Sequence, residues 1–172
     1  MRSWLVISAV LAALASGGCG VSVSATGGVI TNDAPYRAAW EKGWTIVQRD
    51  SVPYAPTSAS PGVCNVGGNK SECYETDRRV AGDLRKLVHA LRDVHVPGPW
   101  RNANAQTLDA VDLNVHALGL RMSSLRADPS TYRQRDTWFR RSKVLMLKAG
   151  GMLQDAYAAF PSWAQPSPVP EY

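Results

Sequence analysis

This sequence holds little that catalysis could use. No nucleophile-elbow, zinc-protease or Ser-x-x-Lys pattern occurs in it. Gly67-Gly68-Asn69-Lys70-Ser71 approaches a phosphate-binding loop, but that loop needs Gly directly before the Lys, and Asn69 stands there. The triplet Asn69-Lys70-Ser71 also fits a glycosylation sequon, which marks a surface position and no catalysis. No uncharged apolar run reaches the roughly 20 residues that a membrane-spanning helix needs. No segment alternates apolar and polar residues as a half-buried strand does, and no internal repeat is present. Cysteine is scarce, at three residues, with no CxxC spacing and no histidine near Cys64 or Cys73 to complete a zinc site. These absences exclude a sheet-based fold and leave no cofactor and no metal implied.

The first residues read as a targeting segment. Arg2 supplies a positive start, and residues 4–14 form an uncharged, mostly apolar run of eleven. Small residues follow, Ala15-Ser16-Gly17-Gly18, and then Cys19. The Gly-Gly pair and the Ser/Thr/Gly-rich stretch behind it break any continuing helix. Ala15-Ser16-Gly17-Gly18-Cys19 resembles the lipobox of bacterial exported lipoproteins, in which small residues precede a cysteine that is acylated and becomes the mature N-terminus. The resemblance covers about the first twenty residues and says nothing of the domain behind them. It departs from the pattern at Ser16, where a bulky aliphatic usually stands. The resemblance implies lipidation of Cys19 and a chain anchored to the outer face of the cytoplasmic membrane. An ordinary signal peptide cleaved at the same small residues would instead leave Cys19 as an odd thiol on a secreted protein. Two or more acyl chains make a stable anchor where one is marginal.

About 150 residues remain after the targeting segment, enough for one core and too few for two comfortable ones. Nineteen Lys+Arg against fourteen Asp+Glu give +5, and loss of Arg2 leaves +4. That mild excess does not argue for nucleic acid. Export to an oxidising compartment makes Cys64 and Cys73, nine positions apart, a disulfide. So short a loop contributes roughly 2–3 kcal/mol on the chain-entropy estimate.

Hydrophobic periodicity predicts four helices and an all-α, up-down-up-down four-helix bundle across residues 32–160. Helix one runs from an Asn32/Asp33 cap, with Pro35 in its first turn, to about Asp50. Its stripe is Tyr36, Trp40, Trp44 and Val47. Helix two carries Val80, Leu84, Leu87, Leu91 and Val94 in a/d steps, opens near Asn69 or Ser71, and has Glu72, Glu75 and Asp77 in its first turns facing the positive helix end. Helix three begins near Asn102 or Asn104 and keeps Leu108, Val111, Val115, Leu118, Met122 and Leu125 in register. Helix four starts with Asp128 as cap and Pro129 at its first position and runs to about Phe160. One of its stripes is Trp138, Leu145, Ala149, Met152, Ala156 and Ala159, with Phe139, Met146, Leu153 and Phe160 beside it. Outside the bundle the sequence predicts a flexible tether over residues 19–31, a long disulfide-stapled loop over 51–71 and an extended Pro-rich tail over 161–172.

Three candidate surfaces emerge. His89/Asp93 and Asp112/His116 are i, i+4 pairs on facing helices, the arrangement of a bundle metal site. Their register points them outward, however, where such ligands must point in. A second stripe on helix three, Ala110, Leu113, Ala117 and Leu120, reads either as packing on a second neighbour or as a partner site centred on Leu113 and Leu120. Arg133, Arg135, Arg140, Arg141 and Lys143 open helix four and read either as a solvated face or as a contact for anionic lipid or wall polymer. The expected role is non-catalytic binding or scaffolding in the envelope, with an envelope protein or an anionic polymer as partner. The second reading is a carrier of a small apolar ligand among Trp40, Trp44, Trp138 and Met152. The third is an enzyme without a recognisable motif.

Overall fold

A proline in the first turn opens the first helix, because that N–H has no helical partner to lose. In the computed structural model α1 spans Ala34–Ser51 and continues into a 3-10 turn, Val52–Tyr54. The model describes residues 33–55, 62–64, 68–161 and 164. The targeting segment, Cys19, the tether and nearly all of the tail fall outside the described residues. α2 spans Lys70–Arg92, and Asn69 is its cap, with Oδ1 accepting from the N–H groups of Ser71 and Glu72 at 2.9 and 3.3 Å. α3 spans Arg101–Arg126 and α4 spans Tyr132–Ala158. The protein is all-α, with no strand among the described residues.

Element ends differ from the sequence expectation in three places. The 3-10 turn Gly98–Trp100 feeds straight into α3, which therefore starts at Arg101, before either asparagine. Asn104 is buried instead, its Oδ1 accepting from the Tyr36 hydroxyl at 2.8 Å. Pro129–Thr131 forms its own 3-10 turn before α4, held by the Asp128 carboxylate accepting from Ser130 N–H at 2.7 Å. Helix also reaches into the connection after α1 from both ends, shortening the irregular part.

Each helix packs on its sequence neighbours: α1 on α2, α2 on α3, and α3 on α4. Contact pairs run in opposite senses along neighbours. Gly43 meets Leu87 while Tyr54 meets Asp77; Arg92 pairs with Asp112 while Asp77 pairs with Arg121. A Cβ on Gly43 would press on the end of the Leu87 side chain, which is itself in the core and would have to shift. The a/d residues of α2, Val80, Leu84, Leu87 and Leu91, are buried as their spacing predicts.

Aromatic rings close α1 onto the far end of α4. Trp40 stands edge-on to Tyr157 at 5.9 Å and 4.6 Å from Phe160, while Trp44 meets Tyr157 at 6.0 Å. Tyr36 lies 5.9 Å from Trp100 and 6.4 Å from Phe160. Such ring pairs add about 0.5–1.5 kcal/mol each beyond their buried area. Trp40 donates its indole N–H to the carbonyl of Ala164 at 2.9 Å, and Ala164 is itself buried. At that residue the chain beyond α4 is part of the core rather than an appendage to it.

Candidate functional site

Cys64 and Cys73 are bonded, with Cα atoms 4.9 Å apart, and the bridge fixes the connection to the first turn of α2. Two glycines let the chain double back there. Gly62 has φ 79°, and a Cβ on Gly68 would lie 2.5 Å from the Val63 carbonyl oxygen. Val63 donates its N–H to Pro53 O at 3.0 Å, which brings the 3-10 turn carrying Tyr54 over α2.

Beneath this staple is a buried polar centre. Asp77, fully buried, accepts from Arg121 Nε at 2.7 Å and from Arg121 Nη2, and from the Tyr54 hydroxyl at 2.7 Å. The Arg121 guanidinium also lies 5.1 Å from the centre of the Tyr54 ring. Burial alone works against the Arg121 cation, but the hydrogen bonds and charge of Asp77 outweigh it, so its pKa is raised. Burial, then the charge of Asp77, pushes the Tyr54 phenol well above its usual value. Cys64 Sγ sits 3.8 Å from Asp77 Oδ1, a contact only, since a bridged sulfur carries no proton. The cluster Cys64, Cys73 and Asp77 has metal-ligand composition, but both sulfurs are committed to the bridge. This centre is sealed by protein on all sides and reads as architecture. Asp77 was expected to face the positive end of its helix; the core stripe carries it inward instead.

The facing His/Asp pairs are all solvent-exposed, and Asp112 is taken by Arg92 at 2.9 Å. A more crowded group of charges lies between the end of α1 and α2, where Arg49, Asp50, Arg78, Arg79, Gly82, Asp83 and Lys86 line a cleft of about 340 Å³. Arg49 holds Asp50 at 2.7 Å and lowers its pKa, and Lys86 holds Asp83 at 2.9 Å. Four cations around two carboxylates disfavour a further metal ion there.

The second stripe of α3 divides. Ala110 and Ala117 are fully buried, whereas Leu113 and Leu120 are half-buried, on a helix that packs against both α2 and α4. The large exposed aliphatics stand elsewhere: Val52 in the 3-10 turn after α1, 67% exposed, and Val144 and Leu147 on α4, 63% and 53% exposed. The basic residues of α4 divide too. Arg133, Arg140 and Arg141 are exposed, with Arg140 reaching Asp136 at 2.7 Å. Arg135 and Lys143 are half-buried, lying 5.6 and 4.9 Å from the Tyr132 and Phe139 ring centres. Arg135, Tyr132 and Phe139 help line a cleft of about 260 Å³ that also borders Lys70 and Ser124. Lys148, which the opening basic run did not include, is exposed on the same outer face.

Of the aromatic and sulfur side chains read as a ligand pocket, Trp40 and Trp44 are packed in the ring cluster, and Trp138 and Met152 are half-buried. Trp44 Nε1 and the Tyr157 hydroxyl, both buried, have no hydrogen-bond partner among the described residues. No helix among the described residues is long and apolar enough to cross a membrane. No protein-family model, curated protein or solved structure matches this chain. The fold and site define a disulfide-stapled helical domain whose buried ion pair, Asp77 with Arg121, is closed by the Tyr54 hydroxyl.

Proposed function

We propose that this protein is an exported lipoprotein, anchored through Cys19 at the outer face of the cytoplasmic membrane, and that its helical domain is a non-catalytic binding or scaffolding module. The observation that carries the binding role is the outer surface of α4. Exposed cations and two exposed aliphatics share it, while the polar groups of the interior are closed off from any substrate. Of the two surfaces legible in the sequence, α4 is preferred to the Leu113/Leu120 stripe, because half of that stripe is core.

The anchor is tested by fractionation. Wild type should sediment with membranes through a high-salt wash and carry lipid mass on its N-terminal peptide, and Cys19→Ser should be released by that wash. Identical partitioning of the two, with no lipid on the peptide, refutes the anchor. An envelope-protein partner at the helix-three stripe is tested with Leu113→Glu and Leu120→Glu. Loss of crosslinked partner at an unchanged thermal midpoint would move the working surface there.

One observation favours the carrier reading as a second. Two unpartnered polar atoms, Trp44 Nε1 and the Tyr157 hydroxyl, sit on neighbouring rings inside the aromatic cluster. Each is a donor that a ligand oxygen would satisfy. Native mass spectrometry of protein extracted from its own envelope should then show a bound apolar molecule. A bare polypeptide mass ends that reading.

A further inference from the structure

We infer that the outer face of α4 lies flat on an anionic phospholipid bilayer, the same membrane that Cys19 would anchor to. The inference rests on the anchored binding role proposed above and names its partner. The first argument is where the charge is. Residues 19–172 hold eighteen Lys+Arg and fourteen Asp+Glu, and α4 alone holds six and two of these, leaving twelve of each sign elsewhere. The whole positive excess of the mature chain therefore resides on one helix.

The second argument is how that helix presents it. At 3.6 residues per turn, Arg133, Arg140, Arg141 and Lys148 all project within about a sixth of a turn of Val144. These four are exposed, as are Val144 and Leu147 at 63% and 53%. The acidic residues of α4 are Asp136 at the edge, paired with Arg140, and Asp155, exposed on the same side about three turns beyond Val144.

The mixture selects the occupant. An anionic polymer would use the cations and have no use for two exposed aliphatics. A protein interface depletes charge from its centre and favours large aromatic anchors, whereas here Val144 is ringed by cations. A bilayer offers both chemistries in layers, anionic headgroups with hydrocarbon directly beneath. Arg and Lys stems can lie along that boundary while their heads stay in the headgroup plane.

Reach supports the same occupant. Fourteen positions separate Cys19 from Asp33, a span of at most about 50 Å. α4, with 27 residues, is about 40 Å long. An anchor on so short a leash holds the helix at a high effective concentration over the surface, so modest intrinsic affinity suffices.

The test removes the anchor and asks whether the face binds alone. The chain from residue 19 onward, carrying Cys19→Ser, is floated with phosphatidylglycerol-rich vesicles and with phosphatidylcholine vesicles. Binding should be confined to the anionic vesicles and should weaken as salt rises. Arg141→Gln with Lys148→Gln should reduce partitioning by about 30-fold, at roughly fivefold per cation. Arg85→Gln with Arg101→Gln, an equal loss of charge on exposed positions of α2 and α3, should change it less than about twofold. Val144→Asp with Leu147→Asp should abolish flotation at an unchanged thermal midpoint, since both side chains face solvent. The inference is overturned by no flotation on anionic vesicles, by equal losses in the two charge pairs, or by full binding after the two Asp substitutions. Any of these, with wild type still sedimenting with membranes and Cys19→Ser released, would overturn the docking face alone. Absence of lipid mass from the wild-type N-terminal peptide would overturn the anchor, and vesicle flotation of the unanchored chain would still judge the face.

Discussion

Removing one partner of the Asp77–Arg121 pair should be the most damaging single change available in this domain. Arg121→Met leaves a fully buried carboxylate with, among the described residues, only the Tyr54 hydroxyl to hold it. Breaking a buried pair from one side costs about 3–5 kcal/mol. A domain of this size has about 5–15 kcal/mol in total. At about 4 °C per kcal/mol, the midpoint should fall by roughly 10–20 °C. The cost comes from the stranded charge, so removing it as well should restore much of the loss. Asp77→Leu with Arg121→Met should recover most of it, less about 1–3 kcal/mol for the Tyr54 hydroxyl, which then has no acceptor. Adding Tyr54→Phe should recover that too. Urea unfolding of wild type, both singles, the double and the triple forms the required cycle, with the m-value checking that the native state keeps its compactness. The reasoning is refuted if Arg121→Met costs less than about 1 kcal/mol, or if the double loses the sum of the two singles.

Reduction of the disulfide, or Cys64→Ser with Cys73→Ser, should cost roughly 2–3 kcal/mol and preserve most helical circular dichroism, with increased hydrogen exchange confined to the connection and the first turn of α2. Burial raises the pKa of Tyr36, Tyr54 and Tyr157. A raised folded-state value means stability is fully present below the unfolded tyrosine pKa of about 10 and is lost as pH rises through the folded values. These phenols should therefore ionise only with cooperative alkaline unfolding, and near-ultraviolet tyrosinate absorbance should show them in the same step as loss of helix. Tyr36→Phe leaves Asn104 Oδ1 without its donor and should cost about 1 kcal/mol or more, whereas Tyr157→Phe and Ser142→Ala remove buried hydroxyls that have no partner among the described residues and should be neutral or stabilising in chemical denaturation. Gly151→Ala, facing open space, should gain about 0.5–1 kcal/mol in helix propensity, and Gly43→Ala should destabilise because the buried Leu87 would have to shift.

The bundle was legible because periodicity reports burial directly. Val80, Leu84, Leu87 and Leu91 lie on one stripe of α2, and that stripe is the one that faces inward. Its extension was legible in position but not in chemistry. Asp77 lies three residues before Val80 and Arg121 three after Leu118, so both continue core stripes, yet each bears a charge that pattern reading assigns to the surface. Only the partner across the helix interface makes either position tolerable, and a single helix's periodicity carries no information about its neighbour. The cations of the α4 surface were legible, but its exposed aliphatics were not, for the opposite reason. Apolar residues occur on nearly every side of that helix, and only packing separates Met146 and Leu153, which are buried, from Val144 and Leu147, which are not. The seat of Ala164 against Trp40 left no trace at all, since a backbone carbonyl has no sequence signature.

The nearest-neighbour packing of the four helices has a kinetic consequence. Most of the interactions that define the fold join segments adjacent in sequence, which shortens the loops that must close and favours rapid folding by successive hairpins. The exceptions, Trp40 to Ala164 and the rings of α1 against Tyr157 and Phe160, span most of the domain. They cannot form before the chain end is present. On a ribosome or an export channel, where the chain emerges from its N-terminus, α1 to α3 can pair while Trp40 still waits for the residues that cover it. The aromatic cluster is then the last part of the core to close, and truncations before Ala164 should stall with that cluster open.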